Sequence, residues 1–203
     1  MIAKPAETEQ AIATILAERW SGRTYDPTVT VSHEQVIALC EAARWAPSCF
    51  GDAPWRYIIW NKHVDQVQWQ KALDCLVPGN QEWAKNASVL VLAASVSTFS
   101  HNGKDNRWVG YDTGAASLNM CLQATEMGLM SHQMGGFDAD KIRATFELPE
   151  DLHLWSMMAF GYPAPLDNLN EEQLERELKA RERRPLSQQF FNGALHSPFT
   201  SGE

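Results

Sequence analysis

Apolar positions recur along this chain with two periods, about 3.6 and 2, and they predict a mixed set of helices and strands. The Glu/Ala/Leu-rich stretch 6–18 predicts a first helix, and Asp26-Pro27 breaks the chain after it. Ser32, followed three residues later by Gln35, has the form of a capping box and predicts a helix to about Trp45. A Pro/Ser/Gly-rich loop, Pro47 to Pro54, leads into the aromatic and β-branched stretch Trp55 to Trp60, which reads as a strand. Residues 62–76 predict a helix, Pro78-Gly79-Asn80 a turn, and the apolar run Ala87 to Ser97 a buried central strand. His101 to Arg107 is polar, contains Asn-Gly, and predicts a mobile loop.

The longest helical pattern is Tyr111 to Met130. It is apolar almost all round, so burial is expected, either in the core or between subunits. A short strand (Ser131 to Met134), Gly135-Gly136, a helix of about 140–147 capped by Asp138, and a strand Leu154 to Tyr162 follow. A charged helix over 170–184 and an aromatic tail after Pro185 end the chain. Strict strand–helix–strand alternation is lacking, which favours an α+β fold.

The 203 residues suit one domain with a sizeable core, and 44% hydrophobic with 21% charged residues is an ordinary globular balance. Eight tryptophans suggest aromatic surface to bury in a core, an interface or a site for a ring-shaped ligand. A net charge of −8 argues against nucleic acid as a partner. No charged-then-apolar leader pattern and no bilayer-length apolar run occur, so a cytoplasmic protein with no membrane partner is expected. Cys40, Cys49, Cys75 and Cys121 are widely spaced, and no metal site is expected.

Against this acidic background the arginines stand out. Arg19-Trp20-Ser21-Gly22-Arg23 places two guanidiniums and a hydroxyl on alternate residues, which can converge on one anion or form a solvated turn. Ala46 to Trp55 is either a stiff ligand-lining loop or an ordinary helix-to-strand connection. Gln133-Met134-Gly135-Gly136-Phe137-Asp138 lets backbone approach a flat ligand, or is a plain turn with Asp138 as cap. Arg181, Arg183 and Arg184 could complete an anion site, or complement a helix C-terminus.

Taken in order and spacing, these segments resemble the FMN-dependent nitroreductase family from about Ala17 to Leu186. The resemblance rests on R-x-S-x-R at 19–23, A-P-S at 46–48, P-W at 54–55, and the helix Asp112-Thr113-Gly114-Ala115-Ala116-Ser117-Leu118-Asn119. Gly128-Leu129, Gly135-Gly136-Phe137-Asp138, Gly161-Tyr162-Pro163 and Arg-Arg-Pro-Leu at 183–186 extend it. It implies one three-layer α+β domain over 1–203, with a central, mostly antiparallel sheet flanked by helices. It also implies an intertwined homodimer with FMN at the subunit interface. The tail at about 185–203 would pack on the partner.

By the same resemblance, Arg19, Trp20, Ser21 and Arg23 bind FMN, and Arg183 reaches its phosphate with Arg181 or Arg184. Pro47, Ser48 and Cys49 come from the partner subunit, and Gln133, Met134, Gly135 and Gly136 sit by the isoalloxazine ring. No side chain is expected to be catalytic, because the flavin carries the chemistry, and the six scattered histidines support no triad. The implied activity is ping-pong hydride transfer from NADH or NADPH to nitroaromatics, quinones or similar small electrophiles. A non-catalytic flavin-storage protein, and dehalogenation or enal reduction, are the alternatives. Gly51 and Ala53 depart from the family, which often carries Asn and Gln there, so polar contacts to the flavin would be lost. Gly79 to Trp83 and the loop 98–108 are candidate substrate covers.

Overall fold

The computed structural model describes residues 4–200. In chain order its elements are α1 (Thr14–Glu18), α2 (His33–Arg44), β1 (Trp55–Asn61), α3 (Gln66–Asp74), α4 (Pro78–Ala84) and β2 (Val89–Val96). After these come α5 (Val109–Glu126), β3 (Met130–Met134), α6 (Ala139–Phe146), β4 (Leu152–Gly161) and α7 (Glu171–Leu178).

Strand β2 organises the rest. Seven of its eight residues are buried, because both faces of the sheet are covered. Alternate residues point to opposite faces. Leu90, Leu92 and Ala94 join Trp60, Trp69, Trp83, Ile142 and Met157 under α3, α4 and α6. Val89, Val91 and Ala93 join Leu39, Ala116, Met120, Met158 and Phe160 under α2 and α5. The sheet order is β1-β2-β4-β3 and every pairing is antiparallel, so β1 and β3 form opposite edges. The expected three-layer α+β arrangement is therefore present.

Local signals explain several element starts. The Ser32–Gln35 capping box forms in both directions, and Asp138 caps α6 through the Lys141 N–H. The Pro78-Gly79-Asn80 turn is a correction: these residues are the first turn of α4, with proline at the position where its missing N–H costs nothing. Helix 6–18 shrinks to Thr14–Glu18. Residues 7–14 are exposed and have no surface to pack on, and short helices without packing are marginal. The 170–184 helix ends at Leu178, where Lys179 turns extended. Arg181, Arg183 and Arg184 thus lie beyond the helix and do not complement its last turn.

Helix α5 is buried on one side within a single copy. Ala116, Met120, Cys121 and Ala124 are buried, but Tyr111 is 79% and Leu118 44% exposed within one copy. Tyr57 of β1 pins the helix by donating to the Thr113 carbonyl, and burial pushes its hydroxyl up to about 12. Among the described residues, no helix is long and apolar enough to cross a membrane, and no group of metal-ligating side chains occurs.

Candidate functional site

The segment after α1 runs extended, so its side chains alternate. Gly22 and Thr24 are buried, and Ser21 and Arg23 face outward. Gly22 is required by close packing: a Cβ there would meet Met130 Sδ at 2.1 Å and the Glu177 carboxylate at 3.0 Å. On the outward side, Arg19 Nη1 donates to Ser21 Oγ at 3.3 Å. Arg23 sits over the Trp83 ring at 5.9 Å, and its backbone N–H donates to Glu177 Oε1 at 3.1 Å.

Ser21 and Arg23 border a pocket of about 300 Å³. Trp20, Ser21, Arg23 and His132 form one side, and Lys4, Arg176, Glu177 and Lys179 the other. His132 on β3 hydrogen-bonds through Nδ1 to the Gly22 carbonyl at 3.0 Å and lies 4.6 Å from the Trp83 ring. Burial, with the nearby Arg23 and Arg19 charges, pulls its pKa down, so the imidazole is neutral and Nδ1 is the donor.

The lining cations Lys4, Arg23, Arg176 and Lys179 outnumber the lining carboxylate Glu177. Among the described residues, ion pairs join only Arg44 to Glu41 and Arg176 to Glu177. Arg19 and Arg183 both lower the pKa of Arg181, after burial, so the three guanidiniums stand within reach of one another's field. Cations that outnumber the lining carboxylate, Glu177, leave a net positive charge that suits an incoming anion such as a phosphate. Arg181 itself is engaged with backbone: it donates to the carbonyls of Lys4, Ala17 and Arg19. Arg183 bonds only the Glu182 carbonyl, and Arg184 makes no hydrogen bond among the described residues.

A glycine loop follows β3. The Gly136 carbonyl accepts from Val77 N–H at 3.1 Å and Asn80 Nδ2 at 3.0 Å. The N–H groups of Gly135 and Gly136 donate to no acceptor among the described residues, and space beside the Gly135 Cα is open. A flat ring with acceptor atoms on its edge can approach there. Gln133 is exposed and reaches Cys121 Sγ at 3.5 Å, and Met134 is buried in the core.

Pro47, Ser48 and Cys49 belong to a separate group. The Cys49 N–H donates to the buried Asp112 carboxylate at 3.0 Å, and Ser48 Oγ accepts from Ala53 N–H at 3.0 Å. Phe50, Gly51 and Ala53 all have positive φ, a tight turn that only Gly51 adopts without steric cost. Asp52 accepts from the Ser100 hydroxyl and N–H, and the hydroxyl contact holds its pKa down. Phe50 packs edge-on against Phe99 and His101. The 98–105 segment therefore braces the Ser48 loop rather than the arginine cluster, and Gly79 to Trp83 supports the glycine loop from α4.

Within one copy the two groups stay apart. The Ser48 loop enters β1, and the arginine cluster and glycine loop flank β3, roughly 14 Å away across the sheet at ordinary strand spacing. No hydrogen bond, ion pair or aromatic contact joins them among the described residues. Lys4, His132 and Glu177 join the site without having been singled out in the sequence, whereas Asn80 and Trp83 fall within the expected cover Gly79 to Trp83 and instead support the glycine loop and Arg23. The neighbourhood of His132 to Gly135 was the one available signal; Lys4 and Glu177 join the site only through tertiary packing.

Comparison with known proteins bears on this geometry. Residues 16–162 match the sequence model described as the nitroreductase family. A solved structure described as an oxidoreductase containing FMN superposes with a TM-score of 0.86 at 32% identity, covering 94% of this chain and 96% of that one. An uncharacterised 15.4 kDa protein of Mycolicibacterium smegmatis is 30% identical over 61% of this chain and 82% of its own length. The YdgI protein of Bacillus subtilis (strain 168), provisionally named an NAD(P)H nitroreductase, is 23% identical over 77% of this chain and 95% of its own. With most of its length matched by that sequence model and its sheet and helices superposing on that structure, the chain belongs to the nitroreductase family.

Proposed function

We propose that this protein is a homodimeric, FMN-dependent oxidoreductase that takes a hydride from NADH or NADPH and reduces nitroaromatics, quinones or similar small electrophiles. The observation that carries the reading is the pairing of Arg19 with Ser21, with Arg181 bonded to the Arg19 carbonyl, together with two glycine N–H groups that have no acceptor among the described residues. That donor set fits FMN: cations and the Ser21 hydroxyl suit its phosphate, and the open backbone at Gly135 suits the ring edge. The FMN-containing relative at 32% identity supports the cofactor, and the NAD(P)H name of the Bacillus relative supports the donor.

Bound FMN supplies hydride acceptance and delivery at N5. In this reading Arg19, Ser21 and Arg183 hold the phosphate. Arg23 provides positive charge at the pyrimidine edge, where charge accumulates on reduction. Gly135 and Gly136 direct N–H groups towards the ring. Ser48 and Cys49, brought by a second copy together with Pro47, close the remaining side. The exposed apolar face of α5 (Tyr111, Leu118) and the aromatic tail (Phe190, Phe199) supply surface for that second copy. Donor and acceptor would share one open cleft in turn, the arrangement of a ping-pong reaction.

The test is an anaerobic visible spectrum of the purified protein with added FMN, followed by NADH and then NADPH. A bound flavin band that bleaches is expected, and the bleaching nucleotide is the donor. A bound band that persists with both would replace turnover with flavin storage, and no bound band would overturn the FMN reading.

A further inference from the structure

Glu177 is the most deeply buried carboxylate in the described chain, at 1% exposure, yet it lies on α7 at the rim of a pocket whose other charged lining groups are Lys4, Arg23, Arg176 and Lys179. Its Oε1 accepts from the Arg23 N–H at 3.1 Å, and Arg176 Nε stands 3.7 Å from the same oxygen. Its Oε2 has no hydrogen-bond partner among the described residues and lies 3.0 Å from where a Cβ on Gly22 would stand. The backbone carbonyl of Glu177 accepts from Lys4 Nζ at 2.7 Å. Just beyond the helix, Arg181 holds the carbonyls of Lys4, Ala17 and Arg19. Helix α1 ends at Glu18 and the Arg19 N–H still donates to the Ile15 carbonyl, but among the described residues no helix or sheet ladder spans 20–23.

We propose that Glu177 and Arg181 are positioning residues that clasp the Arg19–Arg23 segment on either side of Ser21. Arg181 turns the Ala17 and Arg19 carbonyl oxygens towards the protein, and so keeps their negative ends off the anion-facing side. Glu177 fixes the Gly22–Arg23 peptide from beneath, which sends Ser21 and Arg23 outward into the pocket. The clasp is made by acceptor and donor geometry, so a neutral acceptor at 177 can replace the carboxylate. Its role towards FMN rests on the function proposed above; its role towards the segment does not.

The test compares wild type with Glu177→Leu, Glu177→Gln and Arg181→Gln, by amide hydrogen exchange and by FMN titration of flavin-stripped protein followed through fluorescence quenching. In Glu177→Leu, exchange over 17–25 is expected to quicken, and FMN to bind more weakly, each by about tenfold or more, the scale of a lost hydrogen bond to a charged group. Protection of β2 should be unchanged. Glu177→Gln should stay within about threefold of wild type in both measurements. Unchanged 17–25 exchange in Glu177→Leu, or wild-type FMN affinity in it, overturns the proposal, as does failure of Glu177→Gln to restore both. If Glu177→Leu also loses β2 protection, Arg181→Gln decides: faster exchange over 17–25 with β2 intact supports the clasp, and unchanged exchange overturns it. If wild type takes up no FMN while Glu177→Leu still opens 17–25, the FMN reading and the assigned role towards it fall together, and the backbone clasp stands.

Discussion

Asn80 donates its side-chain amide to the carbonyl of Gly136 at 3.0 Å, and this contact locks the glycine loop onto the first turn of α4. A Cβ at position 136 would lie 2.8 Å from both Asn80 Nδ2 and Val77 Cγ2. Gly136→Ala is therefore expected to destabilise the protein by about 1–3 kcal/mol, the cost of overpacking a tight contact. Gly135→Ala, which meets nothing, should stay within about 0.5 kcal/mol. Urea denaturation of the two variants checks the contrast, and equal losses would remove the Asn80 contact as its cause.

Among the described residues the Arg19 side chain makes one hydrogen bond, to exposed Ser21, and Arg19 belongs to neither core cluster. Arg19→Ala should leave the melting temperature near that of wild type and weaken FMN binding by about 1.5–3 kcal/mol, the worth of a charge-assisted hydrogen bond. Unchanged flavin retention would take Arg19 out of the phosphate site.

His132 ties stability to pH. The unfolded imidazole titrates near 6.5, and burial lowers the folded value below that. The unfolded state therefore binds more protons between the two values, and protonation favours unfolding there. The stability conferred by neutral His132 is complete above the unfolded value and falls as pH drops through 6.5 towards the folded one. His132→Asn keeps a donor for the Gly22 carbonyl and cannot titrate, so its melting temperature should fall less between neutral and mildly acid pH. Parallel melting curves for both proteins would assign the acid sensitivity to other groups.

Leu118 separates the dimer from the fold. It is exposed on α5, whereas its neighbour Ala116 is fully buried against Met120 and Val91. Leu118→Asp is expected to yield a folded monomer that has lost FMN, seen by analytical ultracentrifugation and absorbance together. Ala116→Asp should instead unfold the protein by placing an unpaired charge in the core. A folded Leu118→Asp monomer that retained flavin would argue for a site complete in one copy.

The features legible in the sequence were those decided locally. The Ser32–Gln35 box and the Asp138 cap need only neighbours three residues away, and β2 is announced by its unbroken apolar run. The alternation of Arg19, Ser21 and Arg23 likewise survives because an extended chain repeats every two residues. Arg181 reads differently. Its place beyond α7 depends on carbonyls of Lys4, Ala17 and Arg19 at the far end of the chain, and no local pattern encodes that contact. Helix α5 shows a related limit. A helix apolar on every side does not say which residues meet the core, so Ala116 and Leu118 look alike until β2 and β1 are placed beneath it.

Placing β1 and β3 on opposite edges of the sheet makes the pocket divisible. In the proposed dimer each copy lends its Ser48 loop to one pocket and its arginine cluster to the other. Two defective parents, one carrying Arg19→Ala and the other an altered Ser48–Cys49 loop, would then repair each other when their subunits are mixed. The hybrid holds one pocket with both lesions and one with neither, so turnover returns in a mixture of proteins that are each inert alone.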